Sequence, residues 1–239
     1  VTAYTPDPTG AESAYQRIFR RNRSWAADAV ARDPEFFARR AAGQHPEFLF
    51  IGCSDSRVPA EMLTGAEPGE MFVHRNVANL VLHGDANLLS VLHYAVDVLQ
   101  VKAVVVCGHY GCGGVKAAME APTHGLVDHW LGRVRDVIRL HEDALAALPD
   151  DAARYRRLVE LNAAEQAYAL QRNPIVQGAW ARGQALSVHA TVYDLADGEL
   201  RDLSASCCAD GPVPDAHASA WLESFEARRA GRGDGVAAR

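Results

Sequence analysis

The chain has 239 residues, 49% hydrophobic and 23% charged, with a formal net charge of −6 and five cysteines. That apolar content excludes wholesale disorder, and the acidic balance argues against nucleic-acid or polybasic membrane-surface partners, which need a positive footprint. No run approaches the roughly 18 consecutive apolar residues of a membrane span, and the first ten residues lack the basic and apolar stretches of a signal peptide. A low, odd cysteine count points to a reducing compartment, so the chain reads as soluble and cytoplasmic.

Taken in chain order, a helical arm comes first. Ala14, Ile18, Trp25, Ala29 and Val30 carry the apolar spacing between Glu12 and about Arg40, with Asp33-Pro34 restarting the helix. The run Phe48-Leu49-Phe50-Ile51-Gly52 reads as a buried strand ending in a turn, and Met71 to His74 as a second. Asp85 caps a helix predicted from Ala86 to Gln100, followed by the β-branched strand Ala103 to Cys107, closed by Gly108. Gly113-Gly114 open a helix to about Glu120, and helical segments fill about 126–148, 152–172 and Asn173-Pro174 to Arg182. Leu186 to Leu195 alternates as a strand and turns at Asp197-Gly198 into Glu199 to Leu203, a hairpin. A final amphipathic helix is predicted over about 215–228, before a Gly/Arg-rich mobile tail.

This alternation predicts an α/β fold, a central, mostly parallel sheet covered by helices on both faces. The expected organisation is an N-terminal helical arm over 1–40, one α/β domain over 41–228 that includes the last helix and the chemistry-bearing segments, and a tail over 229–239.

Three segments concentrate chemistry, each just after a predicted strand: Gly52 to Arg57, His74 to Asn79, and Cys107 to Gly114. Parallel strands bring their carboxyl ends to one rim, where open α/β sheets hold their ligands. Cys53, His109 and Cys112 supply two thiolates and an imidazole, a set that suits Zn²⁺ and leaves a fourth position open, as catalytic zinc sites do. Asp55 and Arg57 stand two residues apart on one turn and can form a carboxylate–guanidinium pair. Gly113 and Gly114 offer backbone N–H groups at a helix start, which suits an oxygen of a bound anion. Cys107 reads as core packing, and the vicinal Cys207 and Cys208 as packing or solvent thiols, because a vicinal disulfide is strained. His74, His83, His93 and His189 read as core or surface histidines, and the arginines at 17, 20, 21 and 23 as a solvated or interface face.

Cys-Ser-Asp-Ser-Arg-Val at 53–58 together with Cys-Gly-His-x-x-Cys-Gly-Gly at 107–114 resembles the β-class carbonic anhydrases. Glu67-Pro68-Gly69-Glu70, Arg75-Asn76-Val77-Ala78-Asn79 and the His189-x-x-x-Tyr193-Asp194-Leu195 stretch match that family as well, so the likeness covers about 12–205. The resemblance implies four parallel strands with an antiparallel edge strand, N-terminal helices wrapping a partner subunit, and dimers that often pair into tetramers. It implies one zinc per subunit and reversible hydration of CO₂ by zinc-activated hydroxide. In this reading Asp55, oriented by Arg57, either aims the nucleophile or, in a closed state, occupies the fourth zinc position itself. Val77, Leu82 and Phe72 are the candidate apolar walls for CO₂, partly across a dimer interface.

A subset of the family holds a second, inhibitory bicarbonate with a Trp, an Arg and a Tyr. Arg75 and Tyr193 match here, but Phe50 stands in place of the Trp and lacks its N–H donor, which predicts weakened or absent bicarbonate regulation. Ala190 also departs from the family's usual Gly. Two rival readings remain: a carbonyl sulfide or carbon disulfide hydrolase built on the same zinc site, and a non-catalytic bicarbonate-binding zinc protein.

Overall fold

β-branched and aromatic runs build the centre of this structure. The computed structural model describes residues 12–122 and 125–203, and these fall into two compact units that adjoin in sequence at Gln44 and His45. The expected helix over 215–228, the tail, and Cys207 and Cys208 lie outside the described residues.

In the first unit, α1 (Ala14–Arg32) starts at a capping box. Ser13 Oγ accepts the Gln16 N–H at 3.1 Å, and Gln16 Oε1 accepts the Ser13 N–H at 2.9 Å, so two N–H groups that a helix start leaves open are satisfied. The expected restart after Asp33-Pro34 is α2 (Phe36–Ala41). Trp25 meets the rings of Phe36 and Phe37 edge-on, at centroid distances of 6.0 and 5.7 Å. Tyr15, Ile18 and Phe19 on α1 remain exposed.

The second unit holds a sheet of β1 (Phe48–Cys53), β2 (Met71–Asn76), β3 (Ala103–His109), β4 (Ser187–Tyr193) and β5 (Leu200–Asp202). Its order is β2-β1-β3-β4-β5. The first four strands pair in parallel and β5 closes the edge antiparallel to β4, as the alternation predicted. From β1 the chain steps to β2 on one side and then crosses to β3 on the other. Such a reversal opens a crevice at the strands' carboxyl ends. Cys53 ends β1 and His109 ends β3 on the two sides of that crevice.

Five residues, Ala60–Thr64, form α3, a turn of helix absent from the sequence expectation. The helix capped by Asp85 is α4 (Ala86–His93), which widens into one π-turn over Tyr94–Val98. There the Leu99 N–H bonds to the Tyr94 carbonyl, five residues back, and the helix stops short of Gln100, whose φ is +55°. α5 (Gly113–Met119) follows β3. The stretch expected to be helical over 126–148 is three short helices, α6 (Leu126–Trp130), α7 (Gly132–Leu140) and α8 (Glu142–Ala146), broken at Leu131 and His141. Then come α9 (Asp151–Gln171), capped by Asp150, and α10 (Pro174–Ala181), capped by Asn173 with Pro174 in its first turn.

Leu49, Ile51, Val104, Val106, Val188 and Val192 are fully buried in the main core with Leu158, Leu161 and Leu170 of α9. A smaller cluster gathers Phe50 of β1 and Cys107 of β3 with Ala60 of α3. At Gly108 an added Cβ would lie 3.3 Å from the Ala163 Cβ and 3.4 Å from the Val159 carbonyl, so α9 lies close against β3 beside His109.

Buried polar side chains of α9 also tie down the segment after β2. Asn162 Nδ2 donates to the Ala78 carbonyl at 2.9 Å, Gln166 Oε1 accepts the Val81 N–H at 2.9 Å, and Gln166 Nε2 donates to Asn162 Oδ1 at 3.2 Å. Gln166→Leu strands the buried Val81 N–H and one Asn162 acceptor, at about 1–3 kcal/mol for each group. Denaturant unfolding of this variant is expected to show a loss of about 2–4 kcal/mol; a loss below about 1 kcal/mol would show that the tether is dispensable.

Candidate metal centre

Three buried side chains converge on the crevice: Cys53 from the end of β1, His109 from the end of β3, and Cys112 just before α5. One ligand atom of each lies within 4.8 Å of the others. The two sulfurs stand 3.9 Å apart. Two sulfurs each about 2.3 Å from a tetrahedral zinc ion would be about 3.8 Å apart, so the spacing fits.

The histidine gives a second, independent sign of fit. His109 Nδ1 lies 3.1 Å from the Tyr110 carbonyl. A carbonyl only accepts, so Nδ1 carries the proton and Nε2 of the neutral ring carries a lone pair. That Nε2 is buried and has no hydrogen-bond partner among the described residues. A buried acceptor beside two sulfurs is what a metal ligand looks like without its ion, and the Nδ1 bond supplies the orienting contact that metal-bound histidines use.

The backbone prepares both sulfurs. Ala78 has φ +66°, a left-handed conformation uncommon for alanine, and its N–H, with that of Asp55, is directed at the Cys53 sulfur. The N–H groups of Gly114 and Val115, in the first turn of α5, are directed at the Cys112 sulfur. The Cys53 thiol is lowered below its ordinary pKa chiefly by the hydrogen bond from Cys112, while that same contact, burial and the Cys53 charge raise Cys112. The contact thus favours the charge on Cys53 and the proton on Cys112. Cys107 belongs to the Phe50 cluster, and burial pushes its thiol up to about 11; it stays protonated and apart from the ligand set.

Asp55 and Arg57 form the expected pair. Arg57 Nε donates to Asp55 Oδ1 at 2.9 Å, Nη2 to Oδ2 at 2.7 Å, and the Arg57 N–H to Oδ1 at 3.0 Å. These bonds, the guanidinium's first, hold the Asp55 carboxyl well below the usual carboxylate range. Arg57 Nη2 also donates to the Gly111 carbonyl at 3.1 Å, which joins the 53–57 turn to the loop carrying His109 and Cys112. Asp55 Oδ2 stands 3.9 Å from His109 Nε2, beside the ligand set and held by Arg57.

The other expected site residues are distributed unevenly. The Gly114 N–H is directed at the Cys112 sulfur, and a Cβ at Gly114 would lie 2.8 Å from Val77 Cγ1. Gly113 instead faces open space. Val77 follows β2 at the rim and is 38% exposed. Phe72 pairs with Leu49, four residues before the Cys53–Asn76 pair, about 13 Å down the strand, and its ring lies 5.7 Å from that of Tyr94. Leu82 is half-buried in the loop before α4. Arg75 donates through Nε to the Cys53 carbonyl at 2.8 Å and through Nη2 to the Asp55 carbonyl at 2.6 Å, so it braces the first ligand turn. Phe50 is buried, with Cε1 only 2.4 Å from where a Cβ on Gly52 would stand, and Tyr193 packs on the same cluster. His74 bonds to Asn76, His93 to Asp97 and His189 to Ser187.

Sequence reasoning missed Tyr155 of α9, whose hydroxyl donates to the Cys112 carbonyl at 2.8 Å, and the Tyr110 hydroxyl on Glu160 at 2.5 Å. Burial pushes the Tyr155 phenol up to about 12, so it stays a donor.

The family profile described as carbonic anhydrase matches residues 48–200. A carbonic anhydrase of Emericella nidulans is 49% identical over 193 residues, 81% of this chain and 85% of that protein. One from Pseudomonas aeruginosa is 37% identical over 72% of this chain and 80% of its own length. Among solved structures, a tetrameric β-carbonic anhydrase of Sordaria macrospora superposes with a TM-score of 0.77 at 37% identity, covering 81% of this chain and 98% of that one. The Coccomyxa β-carbonic anhydrase, in complex with acetazolamide, gives 0.79 at 37% identity over 89% and 99%. With its parallel sheet and its Cys-His-Cys crevice, this chain belongs to the β-carbonic anhydrase family. It is accordingly an enzyme, a carbonate dehydratase of the lyase class.

The contact favours a thiolate on Cys53 and a thiol on Cys112, so loading the metal-free protein with Zn²⁺ at pH 6.5 is expected to release about one proton from the thiols rather than two. Calorimetry in buffers of different ionisation enthalpy reads this number; a release of two would contradict the shared-proton arrangement.

Proposed function

We propose that this protein catalyses the reversible hydration of CO₂ to bicarbonate and a proton, with Cys53, His109 and Cys112 holding one Zn²⁺ per subunit. The observation that carries this reading is the unpartnered Nε2 of His109, buried against two sulfurs at zinc-ligand spacing beside a carboxylate that Arg57 locks in place. Zinc in such a site makes water acidic enough to supply hydroxide near neutral pH.

The chain's own residues do the rest. Asp55 is ionised throughout the neutral range and is a poor store for a proton, so its Oδ2 serves as a fixed acceptor that aligns the nucleophile rather than as a base. Arg57 keeps that carboxylate in register with the ligand loop through the Gly111 carbonyl. Val77 offers an apolar surface for CO₂ at the rim, and the Gly113 N–H, beside open space, offers a donor to a bicarbonate oxygen. Phe72 lies too far down β2 to reach its own chain's centre, so we assign it, with Leu82, to the wall of a second copy's site. Self-association is supported by the exposed Tyr15, Ile18 and Phe19 of α1 and by the tetrameric Sordaria relative.

We assign it a reducing, cytoplasmic setting on its low, odd cysteine count. Among the described residues no helix is long and apolar enough to cross a membrane.

Stopped-flow CO₂ hydration combined with metal analysis tests the assignment. Cys53→Ala is expected to lose both zinc and activity. Asp55→Asn is expected to keep zinc and lose kcat by about 10²-fold or more. An active Cys53→Ala protein, or zinc-loaded wild type that consumes carbonyl sulfide and leaves CO₂ untouched, would overturn it.

We further propose that no second bicarbonate regulates the enzyme. The Arg75 guanidinium is already engaged by two backbone carbonyls, and the Phe50 ring fills its place without an N–H to offer. Activity is expected to fall only hyperbolically with added bicarbonate; steep, cooperative, pH-dependent inhibition would refute this.

A further inference from the structure

The loop carrying His109 and Cys112 presents three successive carbonyls, and each accepts from a side chain. Tyr110 O takes His109 Nδ1 at 3.1 Å, Gly111 O takes Arg57 Nη2 at 3.1 Å, and Cys112 O takes the Tyr155 hydroxyl at 2.8 Å. The first donor is itself a ligand and the second belongs to the Asp55 pair. The third comes from α9, which contributes no ligand.

One face of α9 runs along this loop in the opposite chain direction. Ala163 and Val159 pack against Gly108, Glu160 accepts the Tyr110 hydroxyl, and Tyr155 donates to Cys112. Residues 155, 159 and 163 recur at the spacing of one helix face, and the chain they follow turns at Tyr110 and Gly111, where Gly111 has φ +78°. Glu160 is in turn held by Arg157 at 3.0 Å. The contact at Cys112 differs from the other two, because it lands on the backbone of a metal ligand. The Cys112 carbonyl also accepts the Lys116 N–H at 3.1 Å as α5 begins, so its direction sets the first turn of that helix and the Gly114 and Val115 N–H groups directed at the Cys112 sulfur. The same planar peptide carries the Gly113 N–H.

Resting on the zinc reading above, we propose that Tyr155 is a positioning residue for the metal centre, fixing the Cys112 peptide so that its sulfur stays directed at the ion. It touches neither metal nor substrate and acts through Cys112. Contacts that orient a metal ligand typically govern metal affinity or activity by about 10- to 100-fold.

The test measures zinc release from the loaded protein to a chromogenic chelator, together with the charge-transfer absorption of the cobalt-substituted protein. Tyr155→Phe removes one oxygen and is expected to release zinc about tenfold faster or more, with a shifted cobalt–thiolate band and an unchanged far-UV spectrum. Tyr168→Phe, which removes a hydroxyl bonded only to Arg172 among the described residues, is expected to release zinc like wild type. Placing 4-aminophenylalanine at position 155 restores a donor there and is expected to return release to within about threefold of wild type. Wild-type release rates and an unshifted cobalt band in Tyr155→Phe would overturn the proposal. If Tyr155→Phe fails to fold, fast release from the 4-aminophenylalanine protein overturns it and slow release supports it. A wild-type protein that binds no zinc would instead overturn the zinc reading itself.

Discussion

Two sulfurs held 3.9 Å apart in a buried crevice are the constraint around which this molecule is arranged. Two thiolates at that distance repel strongly where water is excluded, so the pair is at ease only with a shared proton or with a cation between them. The surroundings favour the cation. Backbone N–H groups are directed at each sulfur, the neutral histidine presents a lone pair, and the nearest guanidinium is turned onto Asp55 rather than onto the thiols. A left-handed alanine, a glycine at the closest approach of helix and strand, and an arginine spent on two carbonyls each contribute to holding that crevice in one shape.

The division of labour follows the strands. β1 and β3 deliver the ligands because the order in which strands are added reverses between them, while the turn after β1 adds the carboxylate pair. α9 then works from behind. Its apolar residues cover the sheet, and its polar ones, Tyr155, Glu160, Asn162 and Gln166, reach the ligand loop and the segment after β2. A buried helix with this many polar residues would be costly without partners; here each of those four side chains has one on an element that frames the metal centre.

Much of this was legible in the sequence, for definite reasons. A β-branched run such as Ala103 to Cys107, closed by glycine, has few alternatives to a central strand, and cysteine and histidine after two such strands limit the chemistry to a short list. What was not legible depends on geometry that leaves no compositional trace. Tyr155 sits in a helical stretch whose spacing says nothing of a carbonyl above it. The breaks at Leu131 and His141 and the π-turn at Tyr94 arise at residues that would equally well continue a helix. Phe72 is the instructive case among the proposed wall residues: the sequence places it on β2, but only the pairing with Leu49 shows it four residues below the rim of its own chain's crevice.

The reversal in strand order between β1 and β3 also has a consequence in time. Cys53 is synthesised well before the loop that carries His109 and Cys112, and β1 pairs first in sequence with β2, which brings no metal ligand. A lone cysteine holds an ion weakly, so the emerging chain offers no durable binding place until β3 has crossed back and seated itself beside β1. Acquisition of the ion is thereby tied to completion of the sheet's centre, and the loaded metal stands as a chemical record that this crossover has been made correctly.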